Sequence, residues 1–164
     1  MSVTYTASSA EFSLCRTYRY WLHRRWSDGP NDLWCALNPS TADAELDDPS
    51  VRRMVGFSRR DGAGGLYLWN AYALRATDPA ALWSHRDPVG ETNDEVLRAL
   101  ARHARRVIVA WGANAEHARA LLVWRALAGM AHGRVYCLGR TKSGAPRHPL
   151  YVRRDTPLEP WSPA

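Results

Sequence analysis

Four short apolar runs constrain this chain more than any other feature: Leu-Trp-Cys-Ala-Leu at 33–37, Leu-Tyr-Leu-Trp at 66–69, Val-Ile-Val-Ala-Trp at 107–111 and Val-Tyr-Cys-Leu at 135–138. Each is too short for a buried helix and lacks the alternation of a half-exposed strand, so each reads as a strand covered on both faces. Parallel neighbours need crossovers of about a dozen residues or more, and the intervening segments supply them. The expected fold class is α/β: a three-layer α/β/α sandwich around a mainly parallel central sheet of four strands.

The segment 16–26 sets Tyr18, Tyr20 and Leu22 against Arg19, Trp21 and His23, the period-two pattern of a half-exposed strand. The turn formers at 27–32 then predict an antiparallel hairpin with 33–37, which adds an N-terminal edge strand. Residues 1–14 read as a lead-in and 152–164 as a proline-punctuated tail, within one α/β domain spanning 1–164. Helices are expected over 50–60 behind Asp47-Asp48-Pro49, briefly after Asp78-Pro79, from Thr92 or Asn93 to about Arg106, and from about 115 to 128.

In open parallel sheets, ligands bind outside the carboxyl ends of the strands, where the loops diverge. Asn38, Pro39, Ser40, Thr41 and Asp43 follow the first run, and Asn70 ends the second. Trp111 and Gly112 close the third, and a glycine-rich loop carrying Thr141, Lys142, Arg147 and His148 follows the fourth. All four junctions belong to one edge. Two amides, an imidazole and an indole there suit recognition of a planar heterocycle by its hydrogen-bonding edge. Asn38 and Asn70 equally suit turn closure, and Asp47 and Asp48 suit helix capping, although Asp48 also falls beside the candidate substrate site. His148 is the most informative histidine, since His103 and His117 fall in helices and His23, His85 and His132 have no supporting context.

Charge points to a partner class. The chain has 22 Lys and Arg against 16 Asp and Glu, with lysine only at Lys142, so nearly all positive charge is guanidinium, the group suited to bidentate phosphate contact. An arginine-rich composition alone gives the same count, so clustering is what matters. Arg140, Lys142, Arg147, Arg153 and Arg154 gather around the His148 loop, and Arg75 follows the Asn70 junction. Cys15, Cys35 and Cys137 lack metal or redox spacing and read as free thiols in a reducing, cytoplasmic compartment. No membrane-length apolar run, zinc-protease motif, nucleotide phosphate loop or dinucleotide fingerprint is present, so no membrane, metal or cofactor is expected.

The blocks LNPSTADAELDDPSVRR, LYLWNAYALRATDP, VIVAWG and CLGRTKSGAPRHPLY closely resemble a bacterial domain-of-unknown-function family, numbered 1643, over about residues 16–161. More loosely, their order resembles the signature of the uracil-DNA glycosylase superfamily: a turn with Asp-Pro or Asn-Pro after the first strand, asparagine ending the next, Trp-Gly opening a helix, and a His-Pro loop last. The resemblance implies that Asn38 orients the hydrolytic water, Asn70 reads the base edge, Trp111 and Gly112 shape the pocket, and His148 hydrogen-bonds the leaving base. It implies a uracil-DNA-glycosylase-like fold, DNA as partner and a monomeric enzyme acting in repair or phage defence. Asn38 stands where the most active members carry Asp, so it cannot take a proton as a general base. Ser40 is small where some members place a bulky residue, which implies a pocket roomy enough for a modified pyrimidine. A hydrolase or transferase of free nucleotides and a non-catalytic modified-base reader are the alternatives.

Overall fold

A computed structural model of the chain describes residues 3–130 and 134–163. In chain order it contains β1 (Ala7–Phe12), β2 (Arg19–Arg25), β3 (Asn31–Ala36), α1 (Pro49–Arg60), β4 (Gly65–Asn70), α2 (Ala80–Ser84), α3 (Asn93–His103), β5 (Val107–Val109), α4 (His117–Met130), β6 (Val135–Cys137) and β7 (Glu159–Pro160). The apolar runs become β3, β4, β5 and β6, which lie parallel in the order β4-β3-β5-β6.

Strand alternation divides the core between two faces. Leu33, Cys35, Trp69, Val107 and Val109 pack with Leu97 and Ala101 of α3 and with Val123 and Leu127 of α4. Trp34, Ala36, Leu66, Leu68 and Ile108 pack with Val51, Met54, Val55 and Phe57 of α1. Helices therefore cover both faces. Helix α1 begins as expected: the Asp48 side chain accepts from the Val51 amide at 2.8 Å, and Pro49 occupies the first turn.

Three expectations need correction. The sheet has seven strands, in the order β1-β2-β4-β3-β5-β6-β7, instead of four plus one edge strand. Strand β2 pairs antiparallel with β4, not with β3. The turn at 27–30 crosses the start of β4 in close backbone contact, with Trp26 and Ser27 amides bonding the Gly64 carbonyl. A Cβ on Gly64 would stand 2.3 Å from the Gly29 nitrogen, so this crossing depends on the missing side chain. Finally, the lead-in and the tail both carry strands: β1 pairs with β2 at one edge and β7 with β6 at the other.

The N-terminal end of β3 is closed by a polar network. Asp32, fully buried, accepts from Arg105 Nε at 3.0 Å, Arg106 Nη2 at 3.1 Å and Ser58 Oγ at 2.8 Å. Trp34 Nε1 in turn donates to Ser58 Oγ at 2.9 Å. Among the described residues, no helix is long and apolar enough to cross a membrane.

Candidate functional site

The chain crosses from β3 to β4 on the α1 face and from β5 to β6 on the opposite α4 face, so the loops after β3 and β5 leave in opposite directions. A crevice opens between them, as such reversals require. It is a cavity of about 610 Å³, lined by residues from the ends of all four parallel strands. That volume lies within the range of small-molecule sites, roughly 300–1,000 Å³.

The cavity brings together Asn38, Ser40, Asp48, Asn70, Trp111, Gly112, Thr141, Lys142, Arg147 and His148. Asn38 is fixed by its amide nitrogen, which donates to the carbonyls of Pro39 at 3.1 Å and Ala76 at 2.7 Å. Its Oδ1 makes no hydrogen bond among the described residues and remains an acceptor for a ligand or water. Asn70 is fixed the other way round. Its Oδ1 accepts from Arg19 Nη2 at 3.1 Å, which leaves its amide nitrogen as the donor at the cavity wall.

His148 lies at the start of the short 3-10 turn Pro149–Tyr151, where its Nδ1 accepts from the Leu150 amide at 3.3 Å. That bond places the proton on Nε2. Burial pushes the imidazole pKa below its ordinary value, with Asp48 opposing, so the ring is neutral near pH 7 and offers Nε2–H as a donor. Trp111 is a buried wall, held edge-on against Trp161 at 5.3 Å. Gly112 has φ +74 and donates its amide to the Pro146 carbonyl at 2.9 Å, which draws the His148 loop over the end of β5. That loop is a tight hairpin: the Thr141 amide bonds the Ala145 carbonyl at 2.8 Å and the Arg147 amide the Gly139 carbonyl at 2.9 Å. Lys142 and Arg147 are exposed at the cavity rim.

Six expected residues stand outside this cavity. The Pro39 carbonyl accepts from the Ala76 amide at 2.9 Å and locks the turn after β3. Asp43 closes a local turn, accepting from the Glu45 and Leu46 amides, which hold its carboxyl below the usual range. Thr41 and Arg75 line a second, adjoining cavity. Arg140 donates to the Ser162 carbonyl at 2.7 Å, and Arg153 pairs with Asp155 on the surface. His132 lies outside the described residues.

Arg19 is the residue sequence reasoning missed. Alternation put it on the exposed face of β2, yet it is 1% exposed and lines the cavity. The β1–β2 ladder skips a residue between the pairs Glu11–Trp21 and Phe12–Arg19, and this bulge turns Arg19 inward. It donates to the Ala42 carbonyl at 2.8 Å as well as to Asn70, its Nε has no partner, and it makes no ion pair with a carboxylate among the described residues. Burial pulls its pKa down to about 10, opposed most by Asp48. Tyr151, 5.6 Å from His148 between ring centres, is a second lining residue that no local pattern marks. Among the described residues, no three His, Cys, Asp or Glu side chains group closely enough to hold a metal ion.

Neither the curated proteins nor the solved structures contain a match to this chain. A family model described as "Protein of unknown function (DUF1643)" matches residues 19–150, most of the sequence, and the chain belongs to that family.

Proposed function

We propose that the protein is a monofunctional DNA glycosylase that hydrolyses the N-glycosidic bond of a flipped, modified or damaged pyrimidine. The observation that carries this reading is the presence, in one cavity, of a neutral His148 with its Nε2–H unused and of Asn38 with its Oδ1 unused. The motif order, which loosely resembles that of the uracil-DNA glycosylase superfamily, and the α/β sheet with its cavity at the strand ends support it.

Flipping a nucleotide costs a few kcal/mol, least for a mismatched or damaged base. The base would lie against Trp111, with the Asn70 amide nitrogen donating to an acceptor on its edge. As the bond from the base nitrogen to C1′ lengthens, positive charge grows on the sugar and negative charge on the base. His148 Nε2–H would donate to that growing anion, and the buried Arg19 charge behind Asn70 would favour it in a site of low dielectric. Water held by Asn38 Oδ1 adds to C1′. Because an amide cannot accept the water's proton, that proton passes through solvent to the departing base, giving an abasic sugar bearing a hydroxyl at C1′ and the neutral free base. Ser40 presents a small side chain to the main cavity, which suits a ring substituent at the base position.

The test is incubation with duplexes carrying uracil, oxidatively damaged or hypermodified pyrimidines, followed by alkaline cleavage at abasic sites. Cleavage of at least one duplex, abolished in His148→Ala, is expected. Tight binding of one modified duplex with no cleavage would replace this reading with that of a modified-base reader, and release from free nucleotides alone would make the protein a nucleotide hydrolase.

A further inference from the structure

The second cavity, about 500 Å³, has a lining that the base pocket does not explain. Its hydrogen-bonding side chains are the guanidiniums of Arg16 and Arg75 and the hydroxyls of Thr17, Ser40, Thr41 and Thr77, and no carboxylate lines it. Both guanidiniums lie over one ring, that of Phe12, with their central carbons 4.2 and 4.9 Å from its centroid. Neither makes an ion pair with a carboxylate among the described residues.

Two cations gathered on one aromatic ring repel each other, and the repulsion is relieved when an anion joins them. The pair is also pre-set. Arg75 Nη1 donates to the Arg16 carbonyl at 3.1 Å, and its Nε is buried without a partner. Arg16 is the one non-glycine residue with positive φ among the described residues, at 58°, a conformation that L side chains adopt at a cost. Guanidinium forks match the oxygens of a phosphate two at a time, and hydroxyls complete the shell. Ser40, Ala76 and Thr77 border both cavities, so an anion held here lies next to whatever fills the base pocket.

We propose that Arg16 and Arg75 form a phosphate subsite that grips the phosphate adjoining the nucleotide whose base enters the main cavity. Its neighbour's identity rests on the base-pocket reading; the anion grip rests on these two arginines alone. The phosphate could be a diester within a DNA strand or the monoester of a free nucleotide, and the experiment separates these sources.

The full chain is titrated by fluorescence anisotropy into a short duplex bearing one tetrahydrofuran abasic analogue, over a range of salt concentrations. Wild type is compared with R16Q, with R16Q/R75Q and with R125Q, an exposed arginine on α4. Each phosphate near the lesion is replaced in turn by a neutral methylphosphonate. Binding of a nucleoside and its 5′-monophosphate is measured in parallel by calorimetry. R16Q is the safe variant, because its exposed side chain makes no hydrogen bond that the fold depends on.

The expected result is that R16Q/R75Q weakens duplex binding about tenfold or more and lowers the log–log salt slope by about one, while R125Q does neither. One methylphosphonate position should weaken wild type and leave R16Q/R75Q unaffected. Monophosphate binding that depends on Arg16 and Arg75, without a duplex effect, would assign the subsite to free nucleotides. The proposal is overturned if R16Q and R16Q/R75Q keep the wild-type salt slope, no methylphosphonate position distinguishes them from wild type, and the monophosphate binds no tighter than the nucleoside. Base release by wild type alongside that result would leave the glycosylase reading standing. Arginine-dependent phosphate binding without base release would do the reverse.

Discussion

The two ends of β3 carry polar clusters of opposite character. At its N-terminal end, buried Asp32 is bonded by two arginines and a serine hydroxyl, and that hydroxyl also accepts from an indole. At its C-terminal end, buried Arg19 makes no ion pair, Asn38 has an unused oxygen, Asn70 an unused nitrogen and His148 an unused Nε2–H. Buried polar groups in folded proteins are nearly always satisfied, and groups left open are costly. The first cluster is complete without a ligand and serves the fold. In the second, Arg19 Nε is buried without a partner, and the free atoms of Asn38, Asn70 and His148 face the cavity, open to water or a ligand, so this end and not the other is equipped to bind.

Asp32→Ala should break the contrast most strongly. Removing one partner from a buried ionic network typically costs about 3–5 kcal/mol, so its urea midpoint should fall by that equivalent. A loss below about 1 kcal/mol would mean the closed end is not structural. His148→Ala should lower base release about 100-fold, the usual cost of one donor to a developing anion, with an unchanged thermal midpoint. Asn38→Asp sharpens the comparison. Although a carboxylate could in principle accept a proton from water, here it would face the Pro39 and Ala76 carbonyls that the amide now bonds, so stability should fall by about 1–3 kcal/mol and activity with it. Arg19→Met should have the smallest effect on stability, within about 1 kcal/mol of wild type, because removing a buried charge that lacks a carboxylate partner offsets the loss of its bonds to the Ala42 carbonyl and Asn70 Oδ1. Base release should nonetheless fall. Equal instability in Arg19→Met and Asp32→Ala, by the same urea titration, would erase the distinction between the two ends.

The His148 ring adds a pH signature. Its folded pKa lies below the ordinary 6.5, so as pH falls through 6.5 the unfolded chain binds the proton first. Its contribution to stability is full above about pH 6.5 and declines below, and His148→Asn should flatten that decline in a pH series of unfolding midpoints.

Much of this architecture was legible because strands buried on both faces have nowhere to hide polar residues. The runs at 33–37, 66–69, 107–111 and 135–138 marked the parallel sheet, and ten lining positions of one cavity were marked by the ends of these runs and the segments that follow them. What escaped did so for local reasons. Strand β1 has no core-facing stripe, since an edge strand with half-exposed residues reads as irregular sequence. Strand β7 is two residues long and contains a proline, tolerated only at an edge. Arg19 was placed on the wrong face because alternation assumes an unbroken ladder, and one skipped residue reverses it. Arg16 and Arg75 are 59 positions apart, and nothing in either neighbourhood shows that both rest on Phe12.

The most direct test of the open end is a single-turnover measurement on the duplex that wild type cleaves best, with the released base identified by mass spectrometry, for wild type and His148→Ala at equal thermal midpoints. Wild type should release an intact free base, and the variant should do so about 100-fold more slowly. No free base from any duplex, or equal rates in the two proteins, would contradict the glycosylase reading.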